Sequence, residues 1–429
     1  MLNLNINSSR ALAVILVFLF HLNIEILSGG FIGVDIFFVI SGYVISLSLF
    51  KLIKKNNGYN FLLEFYCKRL LRILPALIIL SIFLIIICNH IFIQKHYYEF
   101  LKSVIFSNLF ISNFYFWDQF GYFGLENSFK PLLHSWSLSI EAQIYLIFPI
   151  FIFLIYFKRI KLILLLIGVF SILSIFLAHI YIDRPLVYFF PIFRIHEFLI
   201  GVLIFIYLDY WGGKKINSNF FYIGLLLIIF SCLTLEKNSS FPGFNSIIPV
   251  VGIALLILSE KNLLFAQNKI VQFYGNISYS FYLYHWPIIV LYKYYLLKIN
   301  FNFFDIIILF FFITLISYLS FKYIELSFKK LKKNNLIKLL VIIFILILVS
   351  LFYSKDISSP SNVDIKNLNE RKVLEKKIKR KITNPEKPNI IILGDSHAID
   401  LAIALNQSES NLISKFDKIY INLNDDCLS

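Results

Sequence analysis

The sequence predicts an all-α protein that crosses a membrane many times. Hydrophobic residues make up 59% of its 429 residues, and only 15% are charged. The apolar residues are concentrated in segments that approach the roughly 20 residues a helix needs to cross the hydrocarbon core. A water-soluble chain would expose much of this apolar surface and aggregate, so the expected solvent is lipid.

Twelve segments of the chain are candidates for such spans. They cover residues 9–27, 31–50, 73–93, 100–117, 136–157, 162–182, 187–208, 219–235, 246–264, 277–297, 303–324 and 336–353. Loops rich in Lys and Arg remain in the cytoplasm. All the basic clusters of this chain lie on the same side of the membrane if segment 100–117 does not cross it. That segment is rich in Ser and Asn, which also makes it a poor candidate span.

The charge pattern therefore predicts eleven spans in a bacterial inner (plasma) membrane. The N-terminus is expected in the cytoplasm and the tail in the periplasm or outside the cell. Ten spans form a membrane unit over residues 1–327, and residues 328–354 supply a basic loop and an eleventh, tethering span. A polar linker over 355–388 leads to a final region, 389–429, that begins with a β-strand pattern.

Composition excludes several kinds of partner. The net charge is +15, but the basic residues lie in short runs beside apolar segments, where orientation signals belong. We therefore expect no nucleic-acid partner. The cysteines form no CxxC pair, the histidines and acids show no metal-ligand spacing, and no glycine-rich phosphate loop is present. No metal cofactor is expected.

Arg10 and His21 are the most informative polar pair within the predicted spans. They are eleven residues apart, close to three helical turns, so they share one face of the first helix. A histidine inside a membrane can accept and release protons near neutral pH. The alternative is a buried histidine bonded to a backbone carbonyl, and spacing alone does not decide between them.

Arg69 and Arg72 also share a helix face, because they are three residues apart. Two guanidinium groups at the cytoplasmic end of a span could hold the phosphates of a nucleotide-bearing donor. The alternative is ordinary anchoring by positive charges on the cytoplasmic side.

Other ionisable residues in apolar segments are candidates by default, because burying a charge in lipid is costly. Glu141 is expected to be protonated, paired or facing water, and His134 shares its helix face. Arg194 and Glu197, three residues apart, could simply neutralise each other. The last two candidates are Asp35, a lone acid in an apolar run, and His285, for which structural and functional roles are equally open.

The motifs around these residues occur in a recognisable order. They are R-x10-H from Arg10 to His21, GGFIGVDIFFVISGYVIS at 29–46, RLLRILPA at 69–76, HSWSLSIEAQIYLIFP at 134–149, RIHEFLIG at 194–201 and GNISYSFYLYHWPI at 275–288. The ordered set resembles the acyltransferase-3 family of membrane acyltransferases over nearly all of residues 1–327.

The resemblance implies transfer of an acyl group from cytoplasmic acetyl-CoA, or another acyl-CoA, to a hydroxyl of an envelope glycan. O-antigen lipopolysaccharide, capsule and peptidoglycan are the implied acceptors. On this basis Arg69 and Arg72 position the donor phosphates, and His21 acts as general base or acyl relay. Glu141 tunes a catalytic group, and Arg10 holds the donor or stabilises developing charge.

The tail carries a second, weaker resemblance. NIIILGDSHAIDLAIAL at 389–405 is similar to the first block of an SGNH hydrolase-like domain, and Ser396 matches its nucleophile. No histidine follows His397, so the expected catalytic triad is incomplete. We expect an incomplete SGNH-like region that is not a competent hydrolase, either as a fragment or as the product of a truncated gene.

Three alternatives to an active acyltransferase remain at this stage. A transporter or flippase for a lipid-linked sugar would also place charges within the membrane, and it predicts internal repeats. An esterase acting through Ser396 is disfavoured by the missing histidine. A truncated acyltransferase without activity would satisfy the same motifs.

Overall fold

The computed structural model describes most of the chain. The described residues are 4–55, 60–92, 94–119, 130–156, 159–181, 185–236, 239–260, 266–296, 301–329, 338, 340–350, 390–394 and 419–423. The chain divides into two compact units, Met1–Phe352 and Tyr353–Ser429.

The first unit consists of helices. In chain order they are α1 (Leu4–His21), α2 (Gly33–Lys55), α3 (Asn60–Ile91), α4 (Gln94–Asn108), α5 (Ser112–Asp118), α6 (Ser135–Tyr156), α7 (Ile160–Ile180), α8 (Leu186–Phe189), α9 (Ile195–Phe205), α10 (Asn219–Thr234), α11 (Ile247–Leu258), α12 (Lys269–Leu296), α13 (Phe303–Ser320), α14 (Leu326–Phe328) and α15 (Leu340–Ser350). Short π-helical turns at Ile206–Tyr210 and Phe321–Glu325 follow α9 and α13.

Six of the described helical segments are long and apolar enough to cross a membrane, and three shorter apolar helices accompany them. Large apolar side chains such as Ile172 of α7 and Phe311 of α13 are exposed on the outside of the unit. In a soluble protein this surface would drive aggregation, whereas in a bilayer it faces lipid. The protein is therefore an all-α, multi-pass membrane protein, as predicted. The count of eleven spans stays a prediction.

Several helix boundaries differ from those predicted. Helix α1 ends at His21 instead of continuing to residue 27, because Asn23 adopts a left-handed φ of 57°. Helix α3 begins at Asn60, 13 residues before the predicted start at 73, so both Arg69 and Arg72 lie inside it. The predicted span 187–208 is divided between α8, a 3-10 turn at Pro191–Phe193, and α9.

Segment 100–117, predicted not to cross, is also broken. It is divided between α4 and α5, with Phe110 at a φ of 56° between them. Helix α4 has 15 residues and α5 has 7, so each is shorter than a bilayer-crossing helix requires. This break agrees with the charge argument against a crossing helix, although the orientation itself stays a prediction.

Two helix pairs form the framework around the polar residues. Helix α1 packs along α12, with Val14 and Phe18 of α1 in the same buried cluster as Phe281 of α12. Helix α2 packs closely along α9 through small residues, as helices in membranes often do. A Cβ added at Gly42 would lie 2.1 Å from the carbonyl oxygen of Phe198, and one at Gly201 would lie 2.3 Å from that of Val39.

This close approach gives a first prediction. Gly42→Ala should destabilise the protein by about 1–3 kcal/mol, the usual cost of overpacking, because backbone atoms cannot rotate away from the new methyl group. Gly168→Ala in α7 is the matched control, since nothing lies within 4 Å of its Cβ position. Thermal unfolding in detergent measures both variants. Equal melting temperatures would show that α2 and α9 are not closely packed.

The described part of the second unit consists of two parallel strands, β1 (Ile390–Gly394) and β2 (Ile419–Leu423), in the register Ile390 opposite Ile419. The predicted strand before Gly-Asp-Ser is thus present. Ser396 and the linker 355–388 lie outside the described residues.

Candidate active site

The structure gathers the predicted intramembrane residues into three groups. We name them the arginine cavity (Arg10, Arg69, Arg72 and Glu141), the histidine cluster (His21, His134 and His285) and the ion-pair cluster (Asp35, Arg194 and Glu197). Residues that are far apart in sequence meet in each group, so the grouping depends on tertiary packing.

The arginine cavity lies between α1, α2, α3, α6 and α12. Arg10 comes from α1, Arg69 and Arg72 come from consecutive turns of α3, and Glu141 comes from α6. The cavity has a volume of about 80 Å³ and is partly open to its surroundings.

The guanidinium groups of this cavity keep most of their donors available. Arg69 donates from Nη2 to Ser48 Oγ at 3.0 Å and lies 5.7 Å from the ring centre of Phe65. Among the described residues, Arg10 and Arg72 donate no hydrogen bond to a protein oxygen and form no ion pair within 4.0 Å. Each guanidinium has five N–H donors suited to phosphate or carboxylate oxygens. The cavity is therefore equipped to bind an anion.

Glu141 is fixed in the cavity by two hydroxyl groups. Ser41 Oγ donates to Glu141 Oε1 at 2.5 Å, and Tyr145 Oη donates to the same oxygen. Arg72, Arg69 and Arg10 all act on this carboxylate electrostatically. Glu141 was expected to be protonated, paired or facing water; among the described residues it accepts these hydroxyl hydrogen bonds and forms no ion pair within 4.0 Å.

The histidine cluster joins three segments at the other end of α1. The ring of His21 lies 5.3 Å from that of His285 and 4.3 Å from that of Trp286, measured between ring centres. His134, in the turn before α6, lies 5.8 Å from His285. His21 and Arg10 are separated by eleven residues of one helix, or roughly 16 Å along its axis.

Neutral imidazoles are favoured within this cluster. His285 donates from Nδ1 to the carbonyl oxygen of Tyr282 at 2.6 Å, which leaves Nε2 as the acceptor of a neutral ring. Nε2 has no hydrogen-bond partner among the described residues. Burial, followed by the effect of His285, lowers the pKa of His134 well below its ordinary value.

Tyr282 of α12 connects the arginine cavity with the histidine cluster. Its side chain lines the cavity, and its ring lies 5.6 Å from that of His134 and 5.4 Å from that of His285. Its hydroxyl lies 2.6 Å from Ser137 Oγ and donates to the carbonyl oxygen of His134 at 3.1 Å. The two groups are thus parts of one site that is continuous along α12.

The ion-pair cluster is a separate, closed group. Arg194 Nη1 lies 2.7 Å from Asp35 Oδ1 and 3.0 Å from Glu197 Oε1, and all three side chains are at most 2% exposed. The rings of Trp136, Tyr188 and Phe241 surround the guanidinium; their centres lie 5.3–5.7 Å away. Arg194 and Glu197, whose spacing allowed them to neutralise each other, form an ion pair in the structure, and Asp35 joins it. These contacts favour a structural role for all three.

His134 and Glu141, predicted to share a helix face, lie in different groups of the site: Glu141 in the arginine cavity, and His134, in the turn before α6, in the histidine cluster. Sequence reasoning also missed Ser41, Ser137, Tyr145 and Tyr282. Tyr145 follows Glu141 by four residues and Tyr282 precedes His285 by three, which places each pair on one helix face. A hydroxyl side chain at one of these spacings from an ionisable candidate could have identified Tyr145 and Tyr282 from the sequence.

Together the fold and the site define a multi-pass membrane protein with an arginine-lined cavity and a histidine cluster along the same helices. The chain belongs to the acyltransferase-3 family: the sequence profile of its acyltransferase domain matches residues 3–323. That match covers both α1, with Arg10 and His21, and α12, with His285.

Two similar proteins show how much of the chain is shared with relatives. O-acetyltransferase OatA of Staphylococcus aureus is 32% identical over 340 residues, which are 75% of this chain and 56% of OatA. A Haemophilus influenzae protein described only as uncharacterized is 35% identical over 246 residues, which are 53% of this chain and 99% of the relative. The chain thus spans little more than half the length of OatA. No solved structure matches the chain.

Proposed function

We propose that the protein transfers an acetyl group from acetyl-CoA to a hydroxyl group of a cell-envelope glycan, such as O-antigen, capsule or peptidoglycan. The observation that carries this proposal is that α1 joins two groups: Arg10 lies in the arginine cavity, and His21, on the same helix, lies in the histidine cluster. The name O-acetyltransferase, carried by OatA, agrees with acetyl as the acyl group.

The arginine cavity is the proposed donor site. Arg69 and Arg72 hold the phosphates of CoA through charge-assisted hydrogen bonds. Both lie in α3, which follows the basic loop assigned to the cytoplasm, so the donor enters from the cytoplasmic side. Of the two roles expected for Arg10, holding the donor fits its place in this cavity, because roughly 16 Å of α1 separates it from His21. Glu141 limits repulsion between the guanidinium groups and fixes their positions.

The histidine cluster is the proposed site of chemistry. His21 removes the proton of the acceptor hydroxyl while that oxygen attacks the thioester carbonyl carbon. The new C–O bond forms, the C–S bond breaks, and the proton passes from His21 to the departing thiolate. In a two-step form of the reaction, His21 first accepts the acyl group itself. His285 and Tyr282 orient the site from α12.

This chemistry agrees with the proposed topology. Residues 1–327 form the transferase unit in a bacterial inner membrane, with the N-terminus in the cytoplasm. Residues 328–354 tether the linker 355–388 and the SGNH-like region 389–429 outside the membrane. Donor and acceptor then approach from opposite faces, and no metal is required.

Replacing Arg72 tests the donor site. Arg72→Ala should raise the KM for acetyl-CoA by roughly 10–100-fold, the effect of losing a hydrogen-bonded charge contact of about 1.5–3 kcal/mol. Membrane vesicles that expose the cytoplasmic face and enclose an envelope glycan are given acetyl-CoA with a labelled acetyl group, and label in the glycan is counted. The exposed Arg159 supplies the matched control, Arg159→Ala.

The same assay separates the remaining alternatives. A flippase would move a lipid-linked sugar without releasing the thiol of CoA. A truncated, inactive chain would leave the glycan unlabelled until a full-length tail is supplied. Absence of both label and free thiol with either form of the chain would contradict the proposed function.

A further inference from the structure

Tyr282 of α12 closes the arginine cavity on the side of the histidine cluster. Its side chain lines the cavity, and its ring centre lies 5.6 Å from that of His134 and 5.4 Å from that of His285. Among the described residues that line the cavity, none belongs to the histidine cluster. Tyr282 therefore stands between the proposed donor site and the proposed site of chemistry.

A second aromatic ring and a closed set of hydrogen bonds hold Tyr282 in this position. The ring of Phe37 of α2, which also lines the cavity, packs edge-on against the phenol ring with 5.8 Å between ring centres. The Tyr282 hydroxyl lies 2.6 Å from Ser137 Oγ, and both hydroxyl oxygens lie 3.1 Å from the carbonyl oxygen of His134. We name the two hydroxyl groups and this carbonyl the tyrosine latch. It joins α12 to the start of α6.

The direct route between the two groups, along α1, is filled by packed side chains. Val14 and Val17 lie on the face of α1 that leads to His21, and both are buried. Val14 also belongs to the core cluster that joins α1 to α12, so clearing this route would require the helices to separate. Tyr282 is only half-buried, and rotation about its side-chain bonds moves the ring without moving a helix.

We propose that Tyr282 is a specificity-determining residue, because its ring separates the donor thioester from water at the histidine cluster while the tyrosine latch is closed. The acetyl group then reaches a glycan hydroxyl instead of water. This inference rests on the proposed function of the arginine cavity as the donor site and of the histidine cluster as the site of chemistry.

The competing reaction is hydrolysis of the donor. If the ring is displaced while no glycan is bound, the oxygen of a water molecule attacks the thioester carbonyl carbon. A C–O bond forms, the C–S bond breaks, and a proton of the water passes through His21 to the departing thiolate. The products are acetate and CoA. Closing a site against water suppresses side reactions of this kind.

The test measures the release of CoA thiol from acetyl-CoA by vesicles prepared with and without the enclosed glycan. Tyr282→Phe keeps the ring and removes the hydroxyl from the tyrosine latch. Thiol release without glycan should rise roughly three- to tenfold, the change in an equilibrium that the loss of one hydrogen bond produces. Transfer of label to enclosed glycan should change little.

Further variants separate the ring from the latch. Tyr282→Ala removes the barrier itself and should raise glycan-independent thiol release more than Tyr282→Phe does. Ser137→Ala weakens the latch from α6 and should change the release in the same direction. Adding His21→Ala to Tyr282→Ala should abolish the extra release, because the base is lost. The exposed Tyr222 of α10 supplies the matched control, Tyr222→Ala.

The outcomes distinguish this inference from the proposed function. A wild-type protein that transfers no label contradicts the proposed function, and the inference with it. An active wild type, with thiol release unchanged in Tyr282→Phe and Tyr282→Ala, overturns only the role of Tyr282. A parallel fall of label transfer and thiol release in the Tyr282 and Ser137 variants, with a lower melting temperature, would show a purely structural role and would also overturn the inference.

Discussion

His21→Ala is expected to lower the rate of acetyl transfer by about 10²–10⁴-fold, the usual contribution of a general base. The affinity for acetyl-CoA should change little, because the proposed donor site lies at the other end of α1. His21 is nearly buried and packs against Trp286 and His285. The labelled-acetyl assay gives the rate, and equilibrium binding of CoA to the detergent-solubilised protein gives the affinity.

His179→Ala is the control for this prediction. His179 is an exposed histidine of α7, outside all three groups of the site. Its removal should leave both rate and affinity unchanged. If His21→Ala retains the wild-type rate, the base must be another member of the cluster. His285 is then the next variant to measure, because its Nε2 is available as an acceptor.

Replacing Arg194 should have the largest effect on stability. Arg194→Met leaves Asp35 and Glu197 buried without their cation, and breaking a buried ion pair in this way costs about 3–5 kcal/mol. The lost stacking on Trp136, Tyr188 and Phe241 adds to the loss. We expect a large fall in the melting temperature and in the amount of folded protein recovered from membranes.

A compensating variant separates charge from packing in the ion-pair cluster. Arg194→Met combined with Asp35→Asn and Glu197→Gln removes all three charges while roughly keeping their volume, and it should recover much of the lost stability. If the triple variant is less stable than Arg194→Met alone, the electrostatic explanation is wrong. Activity measured per folded molecule should stay near the wild-type value in the triple variant.

Much of the fold could be predicted because hydropathy directly reports which residues contact lipid. It does not report where a helix begins and ends. Helix α3 starts at Asn60 although Glu64, Lys68 and Arg69 lower the hydropathy of its first turns, since Glu, Lys and Arg favour helices about as well as Leu does. Helix α1 ends early because Asn23 tolerates a left-handed conformation. Local backbone preferences thus set the ends of these helices, which hydropathy does not predict.

The individual site candidates could be chosen because an ionisable residue in an apolar segment is rarely accidental. The arrangement of these residues into three groups could not be predicted from the sequence. Asp35 is a lone acid in the sequence, yet it pairs with Arg194, which lies 159 positions further along the chain. Contacts between helices depend on how they pack, and one sequence carries little information on that packing.

The rigid packing of α1 has a consequence for substrate choice. Val14 and Phe18 fill the interval between Arg10 and His21 and pack against α12, so α1 acts as a spacer of fixed length. A donor anchored by its phosphate at Arg10 must carry its acyl carbon roughly 16 Å to reach His21. Acetyl phosphate is too short to bridge that interval, whereas a thioester on a long pantetheine arm can. The helix would thus select donors by their reach as well as by their charge.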